Sequence, residues 1–240
     1  MTEPGTFYGI GVGPGNPDLL TIKAARLITE VPVLAVPTAR QEGESYALDI
    51  VTGLVQPGQS VLKLHFPMLR DVTARVQKRQ EAARQVLEQL NAGRDVAFLT
   101  EGDPLLHSTF AYLLEHLPSG CPVEIIPGVS SVMAAAADAC EPLVMGDERL
   151  AVLPAAFEDS TELEPILAAF DTVVLMKVYK VLSEVLDLLE RLGIAEQALV
   201  VERASHPAGR VLRDVRALRT EPLHYLSLMI IYCRRLARES

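Results

Sequence analysis

The chain has 240 residues, 49% of them apolar and 22% charged, with a formal net charge of −9. That length suits one large domain or two of ordinary size, and the composition is that of a chain that buries a core. The acidic balance argues against nucleic acid as the main partner, no apolar run reaches the ~20 residues of a membrane span, and the N-terminus lacks the basic region and apolar core of a signal peptide, so a soluble cytoplasmic protein is expected.

The first strand candidate, 6–12, ends in Gly11-Val12-Gly13-Pro14-Gly15-Asn16-Pro17-Asp18. A β-run that breaks into glycines and then opens a helix presents bare backbone N–H groups to a ligand. Gly11, Gly13 and Gly15 leave no side chain in the way. Asn16 suits a helix cap, Pro17 the first helical position and Asp18 the positive end of the dipole, which predicts a helix over 18–29. Position 16 is Asn, so the dinucleotide fingerprint is not met, and no Gly-Lys-Ser/Thr follows to make a phosphate loop.

Strands at 32–37 and 60–65 and helices at 44–53 and 71–91 follow. The strand at 95–100 runs into Thr100-Glu101-Gly102-Asp103-Pro104, a turn with two carboxylates, and a helix pattern then covers 107–117. The segment 122–127 is β-rich and ends in Pro127-Gly128-Val129-Ser130-Ser131. It can close the first domain or bridge into the second. An alanine-rich helix at 130–139 comes next. Ligands in open α/β sheets collect beyond the carboxyl ends of strands, and three such ends here carry small, hydroxyl or acidic residues.

The rest reads as strand 150–154, helix 162–169, strand 171–177 and helix 180–191, then three β-like runs at 197–203, 209–215 and 224–233. Alternation in the first half predicts a mostly parallel sheet; consecutive strands in the second predict a mixed one. The expected division is 1–118 and 119–240, with a soft boundary in 115–128. Cys121, Cys140 and Cys233 are far apart, with no Cys-x-x-Cys or His pair beside them, so neither a disulfide framework nor a protein-bound metal is expected.

Taken together, Gly11–Gly15 with Leu19-Leu20-Thr21, Gly102-Asp103-Pro104, and Ile126-Pro127-Gly128-Val129-Ser130-Ser131 resemble the tetrapyrrole methylases of cobalamin and sirohaem synthesis. Gly43-Glu44-Ser45, Phe66-Pro67-Met68 with Asp71, Ser108-Thr109-Phe110 and Tyr225-Leu226-Ser227-Leu228 place the likeness in the branch that methylates C20 of precorrin-2 or cobalt-factor II. One departure is His107, where that branch is expected to carry Tyr. The resemblance spans 6–235. It implies two α/β domains with the active-site cleft between them, S-adenosylmethionine as methyl donor, S-adenosylhomocysteine as product, a tetrapyrrole substrate, and a homodimer. It implies cofactor contacts at Pro14, Gly102, Asp103, Leu106, Ser130, Ser131, Met176 and Ala204.

The substrate carries many carboxylates, so an acidic protein must offer a local basic cluster. Arg40, Lys63, His65, Arg70, Arg149, Arg203, His206 and Arg210 are the candidates, with Gly13, Lys63, Arg70 and Arg203 assigned to the substrate. No base is identified; Asp103, His107 and Tyr225 are the candidates for a catalytic role. Asp103 alternatively braces its own turn, and Ser130 and Ser131 alternatively cap the following helix. Rival readings are uroporphyrinogen-III C-methyltransferase, an RNA or diphthine methyltransferase of the same fold, and a cofactor-binding module without an acceptor pocket.

Overall fold

The structure, a computed structural model, describes residues 3–39, 43–67, 71–155 and 162–234. Arg40, Met68 and Arg70 lie outside them. The chain divides into two compact units, 1–130 and 131–240.

The first unit carries a five-stranded sheet of β1 (Phe7–Gly11), β2 (Val33–Thr38), β3 (Ser60–His65), β4 (Val96–Thr100) and β5 (Val123–Ile126), in the order β3-β2-β4-β1-β5. Every pairing is parallel. All five strands therefore end at one edge. The segment 122–127, open on sequence, supplies β5 to this sheet. The helices are α1 (Ile22–Glu30), α2 (Tyr46–Ile50), α3 (Val72–Asn91) and α4 (Phe110–Leu114).

β4 is buried at every position, as expected of a central parallel strand covered on both faces. Its alternate side chains feed two cores. Ala97 and Leu99 pack with Ile10, Val12, Leu27, Ile28, Leu34 and Val36 under α1 and α2. Val96 and Phe98 pack with Phe7, Ala83, Val86, Leu90, Phe110 and Leu113 under α3 and α4.

Helix 18–29 starts later than the sequence suggests. Asn16 does cap, its Oδ1 accepting the Asp18 amide (2.9 Å), but only a 3-10 turn at Pro17–Leu19. Leu20 is extended, and Thr21 is the cap of α1, its hydroxyl accepting the Ala24 amide (3.1 Å). The pattern at 107–117 condenses to α4 because His107 is left-handed (φ 52°), which no α-helix tolerates. The pattern at 44–53 splits into α2 and a 3-10 turn at Thr52–Leu54.

The second unit carries β6 (Leu150–Pro154), β7 (Thr172–Met176), β8 (Ala198–Glu202), β9 (Arg210–Leu212) and β10 (Ser227–Tyr232), in the order β6-β7-β10-β8-β9. β6 and β7 are parallel, while β10 runs antiparallel to β7 and β8, and β9 antiparallel to β8. The sheet is mixed, as the run of consecutive strands implies. The run at 209–215 is shorter than expected: β9 stops at Leu212, and a 3-10 turn follows at Arg216–Thr220.

The helices here are α5 (Ser131–Ala139), α6 (Glu164–Ala169) and α7 (Leu182–Arg191). α6 and α7 bury Leu163, Leu167, Val185, Leu186 and Leu189 against Val173, Leu175, Val200, Met229 and Ile231 on one face of the sheet. Leu228 is buried. Cys121, Cys140 and Cys233 are free thiols. No described helix is long and apolar enough to cross a membrane.

Candidate functional site

In the first unit, the ends of β1, β4 and β5 meet backbone to backbone. The Val12 amide donates to Thr100 O (2.9 Å) and the Gly102 amide to Gly13 O (2.8 Å), and Gly13 and Gly102 form an isolated antiparallel bridge. Both are left-handed, with φ of 76° and 66°, a region that glycine enters without strain.

Gly11 has a different role from the one its sequence position suggests. A Cβ there would sit 2.6 Å from Gly102 O and 2.6 Å from the Gly128 nitrogen. A Cβ on Gly128 would sit 2.1 Å from Gly102 O. The missing side chains at 11 and 128 make room for protein backbone, not for a ligand. They weld three strand ends into one platform.

Asp103 clamps that platform. Its Oδ1 accepts the Leu105 amide (2.8 Å) and its Oδ2 the Gly128 amide (3.1 Å). Both oxygens are thus engaged by backbone, which is the arrangement of a turn-holding aspartate rather than of a waiting base. Behind it, the Thr100 and Ser108 hydroxyls bond each other (2.8 Å), and Ser108 Oγ accepts the Phe110 amide (3.1 Å).

In the second unit, the ends of β6, β7 and β8 share an edge with the starts of β9 and β10. Met176 O accepts the Ala155 amide (2.7 Å), the Lys177 amide donates to Ser227 O (2.8 Å), and the Arg203 amide to Leu226 O (2.7 Å). Lys177, Arg203 and Ser205 are all left-handed without being glycine, with φ of 61°, 48° and 58°. Such residues persist only where the surroundings over-determine them, and they concentrate at ligand sites.

The over-determining contacts are visible. Asp138 on α5 accepts the Ser205 amide on Oδ2 (2.6 Å). Glu202, 4% exposed, accepts the Arg210 guanidinium (Nε, 2.8 Å) on one oxygen and the His224 amide on the other. Burial raises the Glu202 pKa, but the His224 amide and the Arg210 guanidinium outweigh it and hold the carboxyl below its usual range. Burial, with the Arg203 guanidinium second, holds His224 below the usual imidazole value. A neutral ring fits its position, because His224 Nδ1 accepts the Leu226 amide (3.1 Å). Tyr225 lies edge-on to Tyr179, ring centroids 5.6 Å apart, and Lys177 Nζ is 5.8 Å from the Tyr225 ring centre.

The structure therefore groups Gly13, Pro14, Gly102, Asp103 and Leu106 in the first unit. Pro14 and Gly102 are buried, Leu106 is half-buried, and its amide donates to Asp103 O (3.4 Å). It groups Met176, Arg203, Ala204 and Tyr225 in the second. Ser130 ends the first unit and Ser131 opens α5; both are half-buried. His107 is exposed in the loop before α4.

Lys63 stands apart. It is exposed in the middle of edge strand β3, opposite Val36, rather than at a strand end. Arg70 lies outside the described residues. Sequence reasoning missed Asp138, Glu202 and the left-handed Lys177 and Ser205. No residue pattern marks a non-glycine turn of that hand, although the Glu202–Arg210 spacing beside a strand end is a weak signal.

Residues 6–217 match the Tetrapyrrole (Corrin/Porphyrin) Methylases. A cobalt-precorrin-2 C(20)-methyltransferase of Salmonella typhimurium is 35% identical over 95% of this chain and 96% of its own. A precorrin-2 C(20)-methyltransferase of a Sinorhizobium species is 35% identical over 84% of each. Among solved structures, uroporphyrin-III C-methyltransferase from Thermus thermophilus, complexed with S-adenyl homocysteine, superposes with a TM-score of 0.67 at 27% identity, covering 95% of this chain and 92% of that one.

Proposed function

The chain belongs to the Tetrapyrrole (Corrin/Porphyrin) Methylases, and from that premise we propose that it methylates C20 of precorrin-2 or of its cobalt-containing counterpart, with S-adenosylmethionine as donor. The observation that carries this reading is the end-to-end likeness to two C(20)-methyltransferases. Their names divide between the metal-free and the cobalt-containing acceptor, so both are retained as substrates. We extend the reading to a homodimer in the cytoplasm, following the family resemblance.

In the first unit we assign cofactor holding to Pro14, Gly102, Asp103, Leu106 and Ser130; in the second, to Ser131, Met176 and Ala204. Bound S-adenosylmethionine supplies an electrophilic methyl group on a sulfonium sulfur.

The tasks left to the chain are alignment and exclusion of water, since a positioned pair of reactants gains most from fixed geometry. The electron-rich C20 carbon takes the methyl group and then gives up its proton. Asp103 holds its turn with both oxygens, so accepting that proton would cost the platform a clamp; its role is positional. Arg203 and the exposed Lys177 supply positive charge for substrate carboxylates on a chain that is acidic overall. Calorimetric titration tests the donor half of this reading. One S-adenosylhomocysteine per chain is expected, and absence of binding would overturn it.

A further inference from the structure

The carboxyl edge of the first sheet holds a second group of side chains, away from the glycine platform. β2 and β3 end together there: Thr38 lies opposite His65, and the Phe66 amide donates to Thr38 O (2.8 Å). Ser45 opens α2 just after β2, and Arg75 sits in the first turn of α3 just after β3.

Three polar atoms at this edge, Ser45 Oγ, His65 Nδ1 and Arg75 Nε, are buried and have no hydrogen-bond partner among the described residues. Ser45 is 5% exposed, and its hydroxyl does not cap α2; its carbonyl accepts the Leu48 and Asp49 amides instead. Glu81, an acidic residue on α3, is occupied by Lys78 (2.8 Å).

Buried polar atoms are nearly always paired, so three orphans at one edge call for an explanation. An arginine Nε–H can only donate, while a serine hydroxyl and an imidazole nitrogen can each donate or accept. One group that answers all three accepts several hydrogen bonds and matches a positive charge. An apolar or amide group does not do this; a carboxylate does.

We propose that this edge seats a carboxylate of the tetrapyrrole, with Arg75 as its charged anchor and Ser45 and His65 as hydrogen-bond donors. The inference rests on the tetrapyrrole reading above; His65 is among the basic candidates read from sequence, and the structure adds Ser45 and Arg75 to it.

The test is an absorbance titration of cobalt-factor II, and separately of its fully esterified form, into protein saturated with S-adenosylhomocysteine. Arg75→Gln is expected to weaken cobalt-factor II by about tenfold or more, the loss of a charged hydrogen bond. His65→Gln is expected to move in the same direction by less. S-adenosylhomocysteine affinity stays at the wild-type level in both variants, and the ester does not distinguish either variant from wild type. Unchanged cobalt-factor II affinity in both variants would overturn the carboxylate seat while leaving the methylase reading intact. So would an equal loss for cofactor, ester and acid, which marks a structural role. A wild-type protein that binds S-adenosylhomocysteine but no tetrapyrrole would overturn the proposed function itself.

Discussion

Gly128→Ala is expected to lower stability by about 3 kcal/mol and to abolish S-adenosylhomocysteine binding, the upper end of what overpacking costs when the obstruction is backbone. The added methyl would lie 2.1 Å from Gly102 O and 2.8 Å from Gly11 Cα. Neither atom belongs to a flexible side chain, so the strand ends themselves must part. The same shift pulls the Gly128 amide from Asp103 Oδ2 and loosens the turn that carries the proposed cofactor contacts. Gly53→Ala is the control. A Cβ there meets nothing within 4 Å, and its effect should stay within about 0.5 kcal/mol. Urea unfolding and calorimetry on both variants read the difference. A Gly128→Ala protein with the wild-type midpoint and wild-type affinity would show that the platform is not a rigid junction.

Asp103→Asn is expected to raise the apparent constant for S-adenosylmethionine by about tenfold while the pH profile keeps its shape, the signature of a lost positioning contact worth on the order of 1–2 kcal/mol. Asparagine offers one acceptor oxygen where the carboxylate offers two. The Leu105 or the Gly128 amide must therefore face an NH2 group, donor against donor. A base would behave otherwise: maximal rate would collapse at saturating cofactor, and one limb of the pH profile would vanish. Steady-state kinetics of the variant across pH, at limiting and saturating S-adenosylmethionine, separates the two roles.

Much of this architecture was legible because strands and turns were written by different residues. β4 shows it well: Val96 to Leu99 is an apolar run, and Gly102-Asp103-Pro104 stops it where the structure places the platform. The mixed second sheet followed from strands with no helix between them. What escaped was whatever depends on partners distant in sequence. Asn16 and Thr21 are both good caps, and composition does not say that the first closes only a 3-10 turn. Gly11 reads in sequence as backbone open to a ligand, but the carbonyl of Gly102 and the backbone of Gly128 fill the space beside it. Arg203 was a candidate for its charge, but its left-handed backbone depends on its surroundings, with the buried Glu202 next to it tied to Arg210 and the His224 amide. His65 is a candidate for its charge, but Ser45 and Arg75 look like ordinary polar residues in sequence; only burial without partners among the described residues distinguishes them.

The central claim is methyl transfer to C20, and the most direct measurement follows the methyl group itself. The protein is incubated with S-adenosylmethionine carrying a carbon-13 methyl and, in separate reactions, precorrin-2 and cobalt-factor II. Products are read by mass and by carbon-13 NMR. The account predicts a single labelled methyl at C20 of at least one of the two acceptors, with one S-adenosylhomocysteine released for each methyl transferred. Transfer to neither acceptor by a protein that binds S-adenosylhomocysteine, or a label at any other position of the macrocycle, would contradict it.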